Sequence, residues 1–373
     1  MERIVKCIAD NVVSPLGFDS ASNYESLKAG KSGLRLYDGI AMSLMDRQAV
    51  DGACLELGVP ADRFTFFEKM LLISCIQAVR DSGIDAASDR VLFIVSSTKA
   101  NVSLLGSPAG FPEERVLPAV AARQVSDWFG NRNSPIVVCN ACISGVCAQI
   151  EAMRALRSGR YDYAVVTGAD EQSPFIISGF KSFKAVSDDF CRPFDSDRRG
   201  LNLGECAATV VLKAADREED GWQLVSGAIR NDANHISGPS RTGEGSYLAL
   251  REVLRCCSPS DLAFVNVHGT ATAYNDEMES IALFRAGLTD VPVTGLKGCY
   301  GHTMGAAGIM ESILSMYAVM DHTVLATRGF AQQGTTYPVS VSPVNRTTDR
   351  RQFIKLLSGF GGCTAALLYR LNG

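Results

Sequence analysis

Cys142 lies in the stretch Ile-Val-Val-Cys-Asn-Ala-Cys-Ile-Ser-Gly-Val-Cys-Ala (136–148). An apolar β-branched run stops there at the turn former Asn140, and small residues follow in a helical pattern through Ala155. A thiol at a strand-to-helix corner faces free backbone N–H groups and the positive end of a helix dipole, which favour a thiolate. The same N–H groups can hold a developing oxyanion, so the placement suits nucleophilic attack on an acyl carbon. A buried structural cysteine is the alternative, and partners elsewhere in the chain must decide between the two. Cys139 and Cys142 have Cys-x-x-Cys spacing, but no second pair or thioredoxin-like context accompanies them, so neither zinc nor redox chemistry is expected. Cys139, at the strand end, is expected to point into the core.

The chain has only four histidines, and two of them stand at strand-end corners crowded with glycine and threonine. His268 is in Val-His-Gly-Thr-Ala-Thr (267–272), and His302 is in Lys-Gly-Cys-Tyr-Gly-His-Thr-Met-Gly-Ala-Ala-Gly (297–308). The flanking glycines permit tight turns and close approach of a ligand to the backbone. Either histidine alone reads as well as a hydrogen-bonded structural group. Together with Cys142 they occupy equivalent strand ends, where α/β proteins bind ligands.

The elements that must position these residues alternate between strand and helix. Buried strands are expected at Val91–Ser96, Ile136–Cys139, Tyr163–Gly168, Ala263–Val267 and Val291–Gly295, and a terminal pair at Phe353–Leu357 and Ala365–Leu371. Helices are expected at Phe64–Ser82, after Cys142, at Asp276–Arg285 and at Gly305–Met320, with a loop over 99–115. This alternation predicts an α/β chain with mixed sheets. A buried strand, a polar corner and a small-residue helix recur in both halves, which points to an internal duplication divided into 1–230 and 231–373. The 373 residues, 46% hydrophobic and 20% charged, suffice for a large core, and a net charge of −4 gives no call for nucleic acid or an anionic membrane. No apolar run reaches membrane-spanning length, and the N-terminal residues read as a first strand rather than a signal peptide. Twelve scattered cysteines, mostly in apolar segments, fit reduced thiols in the cytoplasm.

These stretches resemble the elongating β-ketoacyl-acyl carrier protein synthases, the Claisen-condensing enzymes of the thiolase fold, over nearly the whole chain. Val-Val-Ser-Pro-Leu-Gly (12–17) and Ala-Gly-Lys-Ser-Gly (29–33) look like that family's N-terminus. Asn140-Ala141-Cys142-Ile143-Ser144-Gly145 is similar to its nucleophile segment. Arg192-Pro193-Phe194-Asp195 with Gly204-Glu205 looks like its central loop. His-Gly-Thr-Ala-Thr with Asn275-Asp276 and Lys-Gly-x-x-Gly-His-x-x-Gly-Ala-Ala-Gly are similar to its two histidine motifs, and Gly359-Phe360-Gly361-Gly362 to its gatekeeper loop.

The resemblance implies a thiolase-like fold of two similar βαβαβ halves in α-β-α-β-α layers. It makes Cys142 the nucleophile, with the N–H groups of Cys142 and Phe360 as oxyanion hole. His268 and His302 become neutral donors to the enolate formed when a malonyl thioester loses CO2. Lys297 and Glu311 resemble a buried ion pair that orients the histidine corner. Thr270 and Thr272 match positions that hydrogen-bond the phosphopantetheine arm, while Ile143, Gly359 and Gly361 are expected to border the acyl pocket gated by Phe360. No resident cofactor or metal is implied, because the phosphopantetheine arrives on the carrier protein. The implied partners are an acyl carrier protein, its acyl and malonyl thioesters, and a second subunit, either another copy or a ketosynthase-like chain. The strand at 136–139 is a candidate interface, and Lys181 and Lys184 are a candidate basic patch for the carrier. Two histidines distinguish the chain from the initiating synthases, and the absence of Cys-x-Gly near the C-terminus from thiolases. The regions 34–62 and 98–118 are shorter than the family's, and Cys363-Thr364 replaces its usual Thr-Asn. A specialised polyketide-like or aryl polyene pathway therefore stands beside fatty acid synthesis, and a non-elongating scaffold or malonyl decarboxylase subunit is the reading from another class.

Overall fold

A computed structural model describes residues 3–106 and 110–373; the expectations for residues 1–2 and for 107–109, inside the 99–115 loop, lie outside the described residues. The principal strands are β1 (Ile4–Val13), β2 (Val91–Ser96), β3 (Ile136–Val138), β4 (Tyr163–Asp170), β5 (Cys206–Ala215), β6 (Gly221–Asn231), β7 (Leu262–Asn266), β8 (Pro292–Thr294), β9 (Gln352–Gly359) and β10 (Cys363–Asn372). Their order is β8-β7-β9-β10-β6-β1-β5-β4-β2-β3, with the short strand Ser340–Val341 beyond β8. Within β1–β5 the order is third, second, fourth, fifth, first, and within β6–β10 it is the same. In each set the fifth strand alone runs against its neighbours: β5 is antiparallel to β1 and β4, and β10 to β6 and β9. The remaining pairs, β2–β3, β2–β4, β7–β8 and β7–β9, are parallel. The expected duplication is thus written in the strand order. Where the sets meet, only Val5↔Leu224 and Lys6↔Gln223 pair. By topology β6 opens the second set, ahead of the division expected at 230/231.

The strands form where apolar runs can be buried on both faces, as in Val-Leu-Phe-Ile-Val-Ser of β2, every residue of which is buried. Helix α1 (Phe66–Ser82) begins in a capping box between Thr65 and Glu68 and stops at Gly83, whose φ of 66° suits a residue without Cβ. It covers the outer face of β1, β4 and β5. Helices α4 (Glu244–Val253) and α5 (Ala273–Arg285) cover the other set, α4 against β6, β9 and β10 and α5 against α4. Between the sets lie α2 (Ser144–Arg157) and α6 (Ala307–Met320), each touching strands of both. The layers are therefore α-β-α-β-α.

The two central helices meet backbone to backbone. A Cβ on Gly145 would stand 2.8 Å from the Gly305 carbonyl oxygen and 3.1 Å from the Gly308 Cα, and one on Gly308 would meet the Val146 amide nitrogen. The buried Gln149 stitches the contact, its Nε2 donating to Gly145 O at 2.9 Å and Gly308 O at 3.0 Å. The Tyr369 hydroxyl on β10 donates to Gln149 Oε1 at 2.6 Å.

Two expectations need correction. The run 136–139 is not a buried strand: β3 is half-buried, because it is the outermost strand and has a neighbour on one side only. Cys139 has left the strand and is exposed rather than core-facing. The polar stretch around Lys181 belongs to a further helix, α3 (Pro174–Ser182), capped by Ser173 Oγ, which accepts from the Ile176 N–H. Ser-Pro at 173–174 was its sequence signal. All twelve cysteines are free. Among the described residues no helix is long and apolar enough to cross a membrane.

Gly308→Ala forces the central helices apart and is expected to cost about 1–3 kcal/mol, read as a lower urea midpoint. An unchanged midpoint would show that this contact does not set the packing.

Candidate active site

Three corners converge between the halves. Cys142 follows β3 and precedes α2, in a turn where the Asn140 N–H donates to Ser144 Oγ (2.8 Å) and the Ser144 hydroxyl to Ala141 O (2.6 Å). His268 follows β7, and its loop is held by two buried carboxylates of α5. Glu279 accepts from the His268 and Gly269 N–H groups at 2.7 Å each. Asp276 accepts from Thr270 N (3.1 Å) and Phe194 N (2.7 Å), tying the Arg-Pro-Phe-Asp loop to the histidine loop. His302 precedes α6, and its Nδ1 accepts from the Met304 N–H at 3.2 Å. In the neutral ring the proton is then on Nε2. Each corner carries one non-glycine residue in the left-handed region, Ala141 (φ 45°), Ala271 (φ 60°) and Met304 (φ 47°). Such residues cost on the order of 1–3 kcal/mol each and persist only where the surroundings over-determine them.

The Cys142 Sγ and one ring nitrogen of each histidine lie within 4.8 Å of one another. The two imidazoles are edge to face, 5.0 Å between centroids. Nε2 of His302 and Nδ1 of His268 are buried without a hydrogen-bond partner among the described residues. Burial, then the charge of Lys297, pushes both imidazoles well below their usual 6.5, so both are neutral at physiological pH. For Cys142 the expectation of a resting thiolate is reversed: burial, then neighbouring Cys363, pushes the thiol up to about 12, against a smaller pull from Lys297. Cys142 is therefore a neutral thiol at physiological pH. The same three donor types could ligate zinc. Here the lysine charges behind both rings oppose a cation, so the set suits an oxyanion instead.

Those charges form a fully buried cluster. Lys297 Nζ donates to Glu311 Oε1 at 2.9 Å, the pair expected from sequence. Lys355 of β9, which sequence reasoning missed, donates to Glu311 Oε2. A lysine inside Phe-Ile-Lys-Leu-Leu was the available signal, since a charge in an apolar strand needs a buried partner. Burial alone would raise the Glu311 carboxyl, but the two ammonium groups outweigh it and hold the carboxyl low.

The cluster backs a cavity of about 510 Å³ lined by Cys142, His268, His302, Thr270, Thr272, Gly359 and Phe360. The Thr270 and Thr272 hydroxyls are 2.9 Å apart. A Cβ on Gly359 would lie 3.2 Å from the Cys142 nitrogen, so the Gly359–Gly362 loop abuts Cys142. Neither the Cys142 nor the Phe360 N–H donates to a protein acceptor among the described residues, which leaves both free for an oxyanion. Phe360 packs against Phe180 (5.6 Å) and Phe183 (4.9 Å), aromatic neighbours that sequence reasoning did not supply. Lys184, Arg198 and Arg199 also line the cavity, whereas Lys181 does not. Two other expected pocket residues lie elsewhere: Ile143 is fully buried in the core beside Val146 and Cys147, and Gly361 is exposed outside the cavity.

The profile of the β-ketoacyl synthase N-terminal domain matches residues 18–218, and that of the C-terminal domain residues 223–331. Nodulation protein E of Rhizobium leguminosarum bv. trifolii is 26% identical, with 99% of this chain and 100% of that protein covered. The 3-oxoacyl-[acyl-carrier-protein] synthase 2 of Vibrio cholerae is 27% identical, with 99% of each covered. Among solved structures, a β-ketoacyl synthase from Burkholderia phymatum superposes with a TM-score of 0.88 at 22% identity, covering 100% of both chains. The ketosynthase ApeO in complex with its chain length factor ApeC, from Xenorhabdus doucetiae, gives 0.86 at 23% identity, covering 99% of this chain and 98% of that one. At those identities the structural likeness establishes the thiolase-like fold.

Glu311→Gln leaves two buried ammonium groups uncompensated and is expected to lower stability by about 3–5 kcal/mol, measured by urea denaturation. A loss below about 1 kcal/mol would mean that the cluster is not held by charge.

Proposed function

Because the chain belongs to the β-ketoacyl synthase family of acyltransferase-type condensing enzymes, we propose that it is an elongating β-ketoacyl-acyl carrier protein synthase. Its setting is fatty acid or polyketide-like synthesis, aryl polyene assembly included. The observation that carries this reading is the convergence of the Cys142 thiol with two neutral imidazoles within 4.8 Å.

In the first half-reaction Cys142 Sγ attacks an acyl thioester as its proton passes to the departing carrier thiolate. One carbon–sulfur bond forms and one breaks, and the oxyanion sits against the Cys142 and Phe360 N–H groups. In the second, the bond from C2 of a malonyl thioester to its carboxylate breaks. CO2 leaves, and the electron pair collects on the thioester oxygen, to which His268 and His302 donate. C2 then attacks the acyl carbon and expels the Cys142 thiolate, which takes up one proton. Neutral donors and a buried positive cluster handle every charge in this sequence, so no resident metal or cofactor is needed.

The phosphopantetheine arm reaches Cys142 past Thr270 and Thr272, and Lys184, Arg198 and Arg199 meet the acidic carrier protein at the mouth. Dimerisation uses the half-buried edge strand β3, with a second copy or a ketosynthase-like subunit. The protein works in the cytoplasm. The likeness to a ketosynthase complexed with its chain length factor favours considering a non-elongating scaffold role; the free, cavity-facing Cys142 favours the catalytic subunit.

Mass spectrometry after incubation with a panel of acyl-carrier-protein thioesters should find an adduct on Cys142, absent in Cys142→Ala and discharged by malonyl-carrier protein. No adduct from any primer would sink the stand-alone enzyme and point to a missing subunit. Imidazoles with pKa values below 6.5 stay neutral as pH falls through 6.5. Malonyl decarboxylation should therefore hold its rate from pH 7 to 6 (about one pH unit). An acid limb centred at about 6.5 would place an ordinary histidine in control.

A further inference from the structure

One member of that buried cluster goes beyond what pairing Glu311 requires. Lys355 is fully buried in β9, in register with Asn266 at the end of β7. Its Nζ donates to Glu311 Oε2, to Asn266 Oδ1 and, at 3.2 Å, to Val267 O, the carbonyl immediately before His268. An apolar side chain would fill this place without dehydrating an ammonium. Lys297 already satisfies Glu311 as an ion pair. The second lysine therefore leaves the cluster one positive charge in excess.

That excess faces the reacting groups. Lys355 is among the charges that hold both His268 and His302 low. The same strand runs on from Lys355 to Gly359, next to the Phe360 amide. Lys355 thus connects Glu311 on α6, the strand end that carries His268, and the gatekeeper loop.

We propose that Lys355 is a positioning residue for the decarboxylative half-reaction, fixing the His268 corner through Val267 O and Asn266 and placing a net positive charge behind the two imidazoles that donate to the enolate. The proposal rests on the condensing reading above. The ionisable groups around Lys355 are Glu311 and Lys297 in the cluster, Glu279 on α5, and the two histidines. Burial, only partly offset by Glu311, lowers the Lys355 ammonium to about 8. Above that pH the cluster loses its excess charge.

The test compares two half-reactions in wild type and in Lys355→Met, an apolar residue of similar length. These are acylation of Cys142 by an acyl-carrier thioester and CO2 release from malonyl-carrier protein. Decarboxylation should fall on the order of 10- to 100-fold, the scale of a misplaced reacting group, while acylation changes less than about threefold. Equal losses in both, or no loss in either, would overturn the proposal. Should Lys355→Met fail to fold, the wild-type pH profile decides. Decarboxylation falling with a midpoint near pH 8 that acylation does not share supports the assignment. A shared limb, or a profile flat to about pH 10, overturns it. A wild type that performs neither half-reaction would instead overturn the condensing reading, which separates that failure from this one.

Discussion

The close contact of α2 and α6 through Gly145 and Gly308 is the constraint on which the rest of the site depends. A helix pair separated by ordinary side chains stands 8–10 Å apart. Here glycine lets one backbone rest on the other. Cys142 and His302 lie just ahead of these two helices, so the contact brings a thiol and a neutral imidazole from opposite halves into one cavity. The duplicated strand order explains why the corners match. Each half delivers a parallel strand that ends at the same level, and each follows it with a small-residue helix in the central layer.

Around this contact, charge is kept one layer behind the chemistry. The groups that face the cavity, a thiol and two imidazoles, are neutral because burial penalises their charged forms. The lysines and the glutamate sit behind them, paired and dehydrated. Buried carboxylates do a different job in the loops. Glu279 and Asp276 accept main-chain N–H groups of the His268 loop. Asp170 accepts from Gly305 N at 2.7 Å, just past His302, and from the Ser97 hydroxyl at 2.6 Å. These bonds over-determine the loops in which Ala271 and Met304 adopt left-handed backbone, so the strain at the corners is held by the acids beside them.

The same balance of burial against charge explains where sequence reasoning went astray. A cysteine at a helix start suggests a thiolate when only the local dipole is considered. In the folded protein, dehydration of the whole site outweighs that local field. The β3 run looks buried because all of its residues are apolar, yet its exposure depends on whether another strand lies beyond it. Helix α3 was signalled only by Ser173-Pro174, and its Phe180 reached the site through packing against Phe360.

Sequence alone determined what is local: the alternation of strand and helix, the small-residue corners, the order of the motifs, and the identity of Cys142, His268 and His302. Periodicity, turn residues and glycine spacing act over a few neighbours, so they are legible in one dimension. Tertiary structure decided which groups share an environment. Lys355 meets Asn266 across 89 positions and Glu311 across 44, and no short-range pattern encodes either pairing. The protonation of the thiol, the net charge behind the histidines and the exposure of β3 follow from such pairings, because burial and field sum over everything packed nearby, whatever its distance along the chain.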